Sequence, residues 1–305
     1  MYQVKNNPVY ARFTDALGLR PQKINDLKDI PLLPVRAFRE TEMVTANGDP
    51  DLIFESSGTG GMKRSVHKVY DKQLCIDSVT RGFHRFYPNN AVIWAYTPGY
   101  TENPRSSLIW MLKTLINRTG HKSSRFLPLD QPIQQAEADA AAGTGKPLIL
   151  FGAAFGIIDL VEINEVTLPA NAIVIETGGM KTYRRELDRK ELHKRIASGF
   201  GISSEQVHSE YGMCELLSQA YSKETGWFET TPWMQVTIRD PENPARICEP
   251  GEEGLIGVID LANIDSCSFL LTGDKGVSDE SGRFSVLGRW NPLELRGCNF
   301  LIDQD

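Results

Sequence analysis

No run of about 18 apolar residues occurs in this chain, so no membrane-spanning helix is expected. The opening residues, Met1-Tyr2-Gln3-Val4-Lys5-Asn6-Asn7, lack the apolar core of a signal peptide. Positive charge is short: 33 Lys and Arg stand against 39 Asp and Glu, a net charge of −6. That deficit disfavours a protein built to grip nucleic acid. Cysteine is sparse. Cys75, Cys214, Cys248, Cys267 and Cys298 are scattered without a C-x-x-C pair, which argues against a disulfide framework and fits a reducing cytoplasm. His67, His84, His193 and His208 have no metal-ligand spacing. Repeats and low-complexity segments are missing too. So are the Walker A pattern and the Rossmann Gly-x-Gly-x-x-Gly.

What remains is a globular composition. Of 305 residues, 41% are apolar and 24% charged, enough for one large domain or two ordinary ones. Up to about residue 225, strands alternate with helices. Continuous apolar runs at 91–96, 147–152 and 171–177 read as buried parallel strands. Helices are expected over 8–30, 72–87, 106–117, 131–142, 157–164 and roughly 185–199. This alternation predicts a layered α/β fold with parallel strands. The texture changes after residue 226. Short runs at 234–239, 254–261, 267–272 and 283–287 are separated by turn residues, with no helical pattern between them. They predict a β-rich subdomain, a small barrel in outline. The expected division is therefore 1–225 and 226–305.

Chemistry concentrates in a few stretches. Ser56-Ser57-Gly58-Thr59-Gly60-Gly61-Met62-Lys63-Arg64-Ser65 follows a short apolar run. Small residues let the backbone approach a ligand, successive N–H groups form an anion-binding concavity, and Lys63 and Arg64 add charge at the rim. The loop suits a polyphosphate, and it equally reads as a flexible surface turn. Thr177-Gly178-Gly179-Met180-Lys181 closes a buried strand, where open α/β sheets bind ligands, and its Gly pair admits a flat base. Tyr211-Gly212-Met213-Cys214-Glu215, Thr272-Gly273-Asp274 and Gly288-Arg289 complete the set. Each alone has an ordinary reading: Glu215 as a solvated residue, Thr-Gly-Asp as a hairpin turn.

Together, in this order and spacing, the five stretches resemble the motifs of the adenylate-forming enzymes. Ser56, Ser57, Gly58, Thr59 and Gly61 match that family's phosphate loop, while Gly60 replaces its second Thr and Lys63-Arg64 replaces Pro-Lys. Cys214 stands where Tyr-Gly-x-Thr-Glu has Thr. A closer resemblance is to the LuxE-type acyl-protein synthetases, relatives of phenylacetate–CoA ligases. It is carried by the loop at 56–63, Thr-Gly-Gly-x-Lys at 177–181, Thr231-Pro232-Trp233 and Gly297-Cys298.

The resemblance implies the N-terminal domain of an adenylate-forming enzyme followed by its β-barrel-like subdomain. The usual C-terminal domain is expected to be absent. It implies ATP and Mg²⁺, with Ser56, Ser57, Gly58, Thr59, Gly61 and Lys63 on phosphate. Gly178, Gly179, Tyr211 and Gly212 lie around the adenine, Asp274 and Arg289 contact the ribose or phosphate, and Glu215 binds the metal. The implied reaction converts a fatty or other carboxylic acid into acyl-AMP and passes it to Cys298. A partner protein, a reductase or an acyl carrier, then receives it. Carboxylate attack on the α-phosphate builds negative charge, for which Lys181 is the candidate cation, with Lys63 and Arg64 next. Cys298 equally reads as an inert thiol. Trp94, Tyr96, Trp110 and the segment 151–156 are candidates to line an apolar acyl pocket, and equally ordinary core. His208, beside the Tyr-Gly motif, is the histidine worth testing. Two rivals remain: an acyl- or aryl-CoA ligase that needs a separate C-terminal domain, and a nucleotide-binding scaffold without turnover.

Overall fold

A computed structural model describes residues 2–20, 22, 24–56, 63–99, 103–129, 131–178, 188–223 and 226–290. Helix α1 (Tyr2–Asn6) leads into α2 (Pro8–Ala16). Asn7 caps α2, its side chain accepting from the N–H groups of Val9 and Tyr10, and Pro8 opens the first turn. The expected long helix over 8–30 ends at Ala16. Gly18 takes a left-handed φ of 64°, its N–H donates to the Asp15 carbonyl, and Leu19 N–H reaches back to Thr14. This closes the carbonyl end and turns the chain away. Next come β1 (Leu33–Pro34), α3 (Ala37–Glu40), β2 (Leu52–Glu55), β3 (Val66–Val69) and α4 (Lys72–Phe86).

The alternating region continues with β4 (Val92–Tyr96), α5 (Ser107–Thr119), β5 (Arg125–Phe126), α6 (Gln135–Ala142), β6 (Leu148–Ala153) and α7 (Ala154–Ile163). It ends with β7 (Ile173–Thr177), α8 (Arg189–Phe200), β8 (Val207–Tyr211) and β9 (Ala220–Ser222). Caps set the helix ends. Ser106 accepts from Ile109 N–H at the start of α5, and Asp188 accepts from Glu191 N–H at the start of α8. Left-handed glycines, Gly120 and Gly201, close both. The β-rich stretch contains β10 (Met234–Arg239), β11 (Gly254–Asp260), β12 (Phe269–Ser278) and β13 (Phe284–Arg289). The last described helix longer than a single 3-10 turn is α8, so the change of texture near residue 226 is real. Among the described residues, no helix is long and apolar enough to cross a membrane.

By packing, the chain forms two compact units that do not follow chain order. One comprises 1–75, 214–218 and 230–305, and the other 76–213 and 219–229. The second unit holds a six-stranded sheet in the order β5-β4-β6-β7-β8-β9, parallel except for β9. Its central strands are buried at every residue of β4 and β6. Alternate side chains feed two cores. Val92, Trp94, Tyr96, Leu148 and Leu150 join one, and Ile93, Ala95, Ile149, Phe151 and Ile175 the other. Helices thus cover both faces, which is why these strands carry no polar alternation.

In the first unit the sheet order is β1-β12-β11-β10, with β13 paired to β12. All pairs are antiparallel except β1 with β12. The first 75 residues are tied to this sheet directly. Leu33 pairs with Leu270, Asn7 Nδ2 donates to the Ser266 carbonyl at 2.8 Å, and the Tyr10 ring lies 5.5 Å from that of Phe269. The expected strand 267–272 runs on to Ser278. Thr272-Gly273-Asp274 therefore lies inside a strand and is not a hairpin turn.

Candidate active site

The glycine-rich loop is the connection of an antiparallel hairpin. β2 pairs with β3 from Leu52 opposite Val69 to Glu55 opposite Val66. Its stem is closed by two serines. Ser56 N–H donates to the Ser65 carbonyl at 3.0 Å, and Ser65 N–H donates to Ser56 Oγ at 2.9 Å. The hydroxyl of Ser56 is thus a structural acceptor at the loop's base. Lys63 is exposed, and Arg64 lies 3.7 Å from Glu55. Ser57, Gly58, Thr59 and Gly61 lie outside the described residues.

Glu215 is buried at 7% exposure, not a solvated surface residue. Burial raises its pKa, while the neighbouring Ser65 hydroxyl, its own backbone N–H, Arg39 and Arg289 pull it back. The Arg289 guanidinium itself pairs with Asp274, Nε to Oδ1 at 3.0 Å. The charge of Glu215 is thus incompletely compensated, a setting that a bound divalent cation would relieve. A hard carboxylate oxygen suits Mg²⁺. Among the described residues no cluster of three or more His, Cys, Asp or Glu could hold a metal alone, so an ion at Glu215 would need oxygens from a ligand.

The segment 214–218 is held by three side chains that the sequence analysis did not single out. His67, on β3, contacts the Cys214 carbonyl through Nδ1 at 2.8 Å and Ser266 Oγ through Nε2 at 2.9 Å. A carbonyl only accepts, so Nδ1 carries the proton. Burial depresses the imidazole to about 4, so it is neutral and Nε2 accepts from Ser266. Asn263 Nδ2 donates to the Glu215 carbonyl at 2.7 Å. Asp260 accepts from the N–H groups of Leu217, Ser218 and Ala262 and from the Ser218 hydroxyl. The signal for His67 was legible: in Val66-His67-Lys68-Val69 the period of two turns His67 inward with Val69. For Asp260 and Asn263 no local pattern marked the long-range partner.

Asp274 and Arg289 face each other across β12 and β13. Asp274 is 6% exposed, and its N–H donates to Thr272 Oγ1, whose hydroxyl donates to the Ile256 carbonyl. The backbone at Asp274 is thus held by Thr272, while Arg289 projects with its side chain 76% exposed.

In the second unit, two carboxyl groups sit at the carboxyl ends of β7 and β8. Ser209 Oγ donates to Glu176 Oε1 at 2.5 Å, His193 Nε2 lies 3.1 Å from Ser209 Oγ and 3.5 Å from Glu176, and Arg189 approaches Glu176 at 3.9 Å. The Thr177 hydroxyl donates to Glu210 Oε2. Burial raises Glu210 to about 7, with Glu176 adding to the effect and Thr177 opposing it. Gly178, directly after Thr177, has a left-handed φ of 77°. Tyr211 is 8% exposed and meets the Phe228 ring edge-on at 6.0 Å. A Cβ on Gly212 would come within 2.4 Å of Glu210 Oε1, so this position needs glycine while Glu210 keeps its place. His208 is structural: Nδ1 faces the Tyr87 hydroxyl and Nε2 the Glu205 carbonyl, and burial lowers it to about 4. Trp94, Tyr96 and Phe151 are buried in the core of this unit, with the Trp94 indole N–H donating to the Ser123 carbonyl. Gly179, Lys181 and Cys298 lie outside the described residues.

The family model for acyl-protein synthetase, LuxE, matches residues 121–305. The chain belongs to this family. It is a ligase of the acyl-protein synthetase type. Its relative in Vibrio harveyi, a long-chain-fatty-acid–luciferin-component ligase, is 25% identical over 345 residues, covering 99% of this chain and 85% of that protein. Among solved structures, 2-hydroxyisobutyryl-CoA ligase in its postadenylation state, in complex with R3-HIB-AMP, matches with a TM-score of 0.67 at 14% identity. The match covers 94% of this chain and 65% of that one. ATP-bound MatB from Rhodopseudomonas palustris matches with a TM-score of 0.58 at 16% identity over 80% of this chain and 49% of its own. At these identities the likeness establishes the fold, that of adenylate-forming enzymes. This LuxE-family chain spans about two thirds and one half of the two structures' lengths.

Proposed function

We propose that this protein uses ATP to convert a carboxylic acid, a long-chain fatty acid in the first instance, into acyl-AMP. It then transfers the acyl group to a protein thiol. The family match over residues 121–305 carries the reading. The name of the Vibrio harveyi relative favours a fatty acid, and the ATP and AMP complexes of the structural neighbours favour adenylation.

In this reading the substrate carboxylate attacks the α-phosphorus, the bond to the β-phosphate oxygen breaks, and pyrophosphate leaves. Lys181 offsets the charge that builds on the α-phosphate, and the rim cations Lys63 and Arg64 serve the departing pyrophosphate. Asp274 accepts hydrogen bonds from ribose hydroxyls, and Thr177, Gly178, Tyr211 and Gly212 border the base. Glu215 holds Mg²⁺, which when bound screens the charge of the phosphate oxygens. Cys298 loses its thiol proton and attacks the acyl carbonyl. AMP departs and a thioester remains. A reductase or an acyl carrier then accepts the chain. Cys75, Cys214, Cys248 and Cys267 are free and buried, which suits a reducing compartment such as the cytoplasm.

Intact-protein mass spectrometry tests this directly. The protein is incubated with ATP, Mg²⁺ and a mixture of fatty and aromatic acids, in parallel with Cys298→Ser. A hydroxylamine-labile acyl adduct, lost in the variant, is expected. Pyrophosphate release without an adduct would replace the protein thiol by an external acceptor such as coenzyme A. Neither adduct nor pyrophosphate would remove the reading.

A further inference from the structure

Glu215 can direct its carboxylate only if the backbone beneath it is still. Peptide planes are rigid, so the direction of its Cα–Cβ bond is set by the planes on either side of the Cα. Both planes are held through their carbonyls by buried side chains. The Cys214 carbonyl, in the preceding plane, accepts from His67 Nδ1 at 2.8 Å. The Glu215 carbonyl, in the following plane, accepts from Asn263 Nδ2 at 2.7 Å. Holding both planes narrows the φ and ψ open to Glu215.

The two anchors are themselves fixed. His67 is 1% exposed, lies edge-on to the rings of Phe38 and Phe54 at 5.3 and 6.5 Å, and has its second nitrogen on Ser266 Oγ. Asn263 is wholly buried. His67 also belongs to β3, the strand that leaves the glycine-rich loop. Two residues before it, Ser65 closes the loop stem with Ser56 and lies beside the Glu215 carboxyl. One strand thus reaches both the base of the loop and the peptide preceding Glu215.

We infer that His67 is a positioning residue for Glu215, acting through its Nδ1–H on the Cys214 carbonyl, and that Asn263 completes the hold. The inference rests on the proposed role of Glu215 toward Mg·ATP. His67 touches no ligand. It couples the hairpin that carries the glycine-rich loop to the carboxylate that would hold Mg²⁺.

Two substitutions separate this role from packing. An Asn side chain places its amide N–H where Nδ1 stands, because both are the same number of bonds from Cα. Gln places it where Nε2 stands. His67→Asn therefore keeps the donor to the Cys214 carbonyl, and His67→Gln loses it. Two quantities are measured: Mg²⁺-dependent ATP binding by calorimetry, and hydrogen exchange of the 214–218 backbone without ligand. In His67→Gln, the half-saturating Mg²⁺ concentration is expected to rise on the order of tenfold. Exchange over 214–218 is expected to quicken. In His67→Asn both stay near the wild-type values. Slow exchange in the Gln protein, or equal impairment of the Asn and Gln proteins, would overturn the role of His67. Glu215→Gln serves as the control. If it binds Mg·ATP as the wild type does, the reading of Glu215 fails, while the exchange measurement still judges the hold itself.

Discussion

Thr177 and Glu210 stand opposite each other in the parallel register of β7 and β8, and the threonine hydroxyl donates to the Glu210 carboxyl. The contact joins the strand end that precedes Gly178 to the one that precedes Gly212. Its carboxyl is buried and titrates near neutrality.

Stability should therefore depend on pH through Glu210. Its ordinary value is 4.5 and its folded value about 7, so the native state keeps a proton that the unfolded chain releases. The stabilisation is fully present below 4.5 and is lost as pH rises towards 7, by on the order of 3 kcal/mol. Glu176, Tyr87 and Tyr221 interact with this carboxyl. His67 and His208, depressed to about 4, contribute the opposite slope below 6.5. They remain in Glu210→Gln, so the difference between the two proteins isolates the glutamate. Urea unfolding at pH 5 and pH 8 should show the wild type losing ground to Glu210→Gln. A constant difference would refute the assignment.

Asp260 should be worth more to the fold than a surface acid. It satisfies three backbone N–H groups and one hydroxyl. Asp260→Ala leaves these donors buried and unpaired, a loss of about 3 kcal/mol or more. Asp260→Asn keeps one acceptor oxygen and should lose less. Chemical denaturation ranks the two, and equal stabilities would contradict the account.

Gly152, the penultimate residue of β6, lies opposite Tyr96 of β4. A Cβ there would lie 2.1 Å from the Tyr96 carbonyl oxygen. Gly152→Ala should cost about 2 kcal/mol or more, because the obstacle is backbone. Gly143→Ala, whose Cβ would lie no nearer than 3.4 Å to any atom, should stay within about 0.5 kcal/mol. Thermal melts of the pair give the comparison.

Lys181→Ala should lower ATP–pyrophosphate exchange by roughly 10²- to 10³-fold if its ammonium offsets charge at the α-phosphate. Exchange at the wild-type rate would end that assignment and move attention to Lys63 and Arg64.

Local pattern was enough for much of this protein. The apolar runs at β4, β6 and β7 announced buried parallel strands, since a strand covered on both faces has no polar side to show. The turn-punctuated stretch after 226 announced β10 to β13. Motif order announced the family, because a glycine loop, a Tyr-Gly pair and a Thr-Gly-Asp are short and contiguous. The end of α2 at Ala16 is also written locally, in Gly18.

Other features exist only once the chain is folded. That residues 1–75 and 214–218 pack with the β-rich stretch depends on pairs such as Leu33 with Leu270 and Leu217 with Asp260, which no window of sequence contains. Trp94 and Tyr96 look alike as core or as pocket lining until neighbours fill the space around them. Thr272-Gly273-Asp274 has turn chemistry, yet it lies within β12, flanked by residues paired to β11 on either side of a register shift, with Asp274 opposite Arg289 of β13. Burial of Glu210 and Glu215, and the neutral state of His67, follow from desolvation by distant segments. Residue type sets what a group can do. The tertiary structure sets how much water reaches it, and so which charge it carries and which partner it keeps.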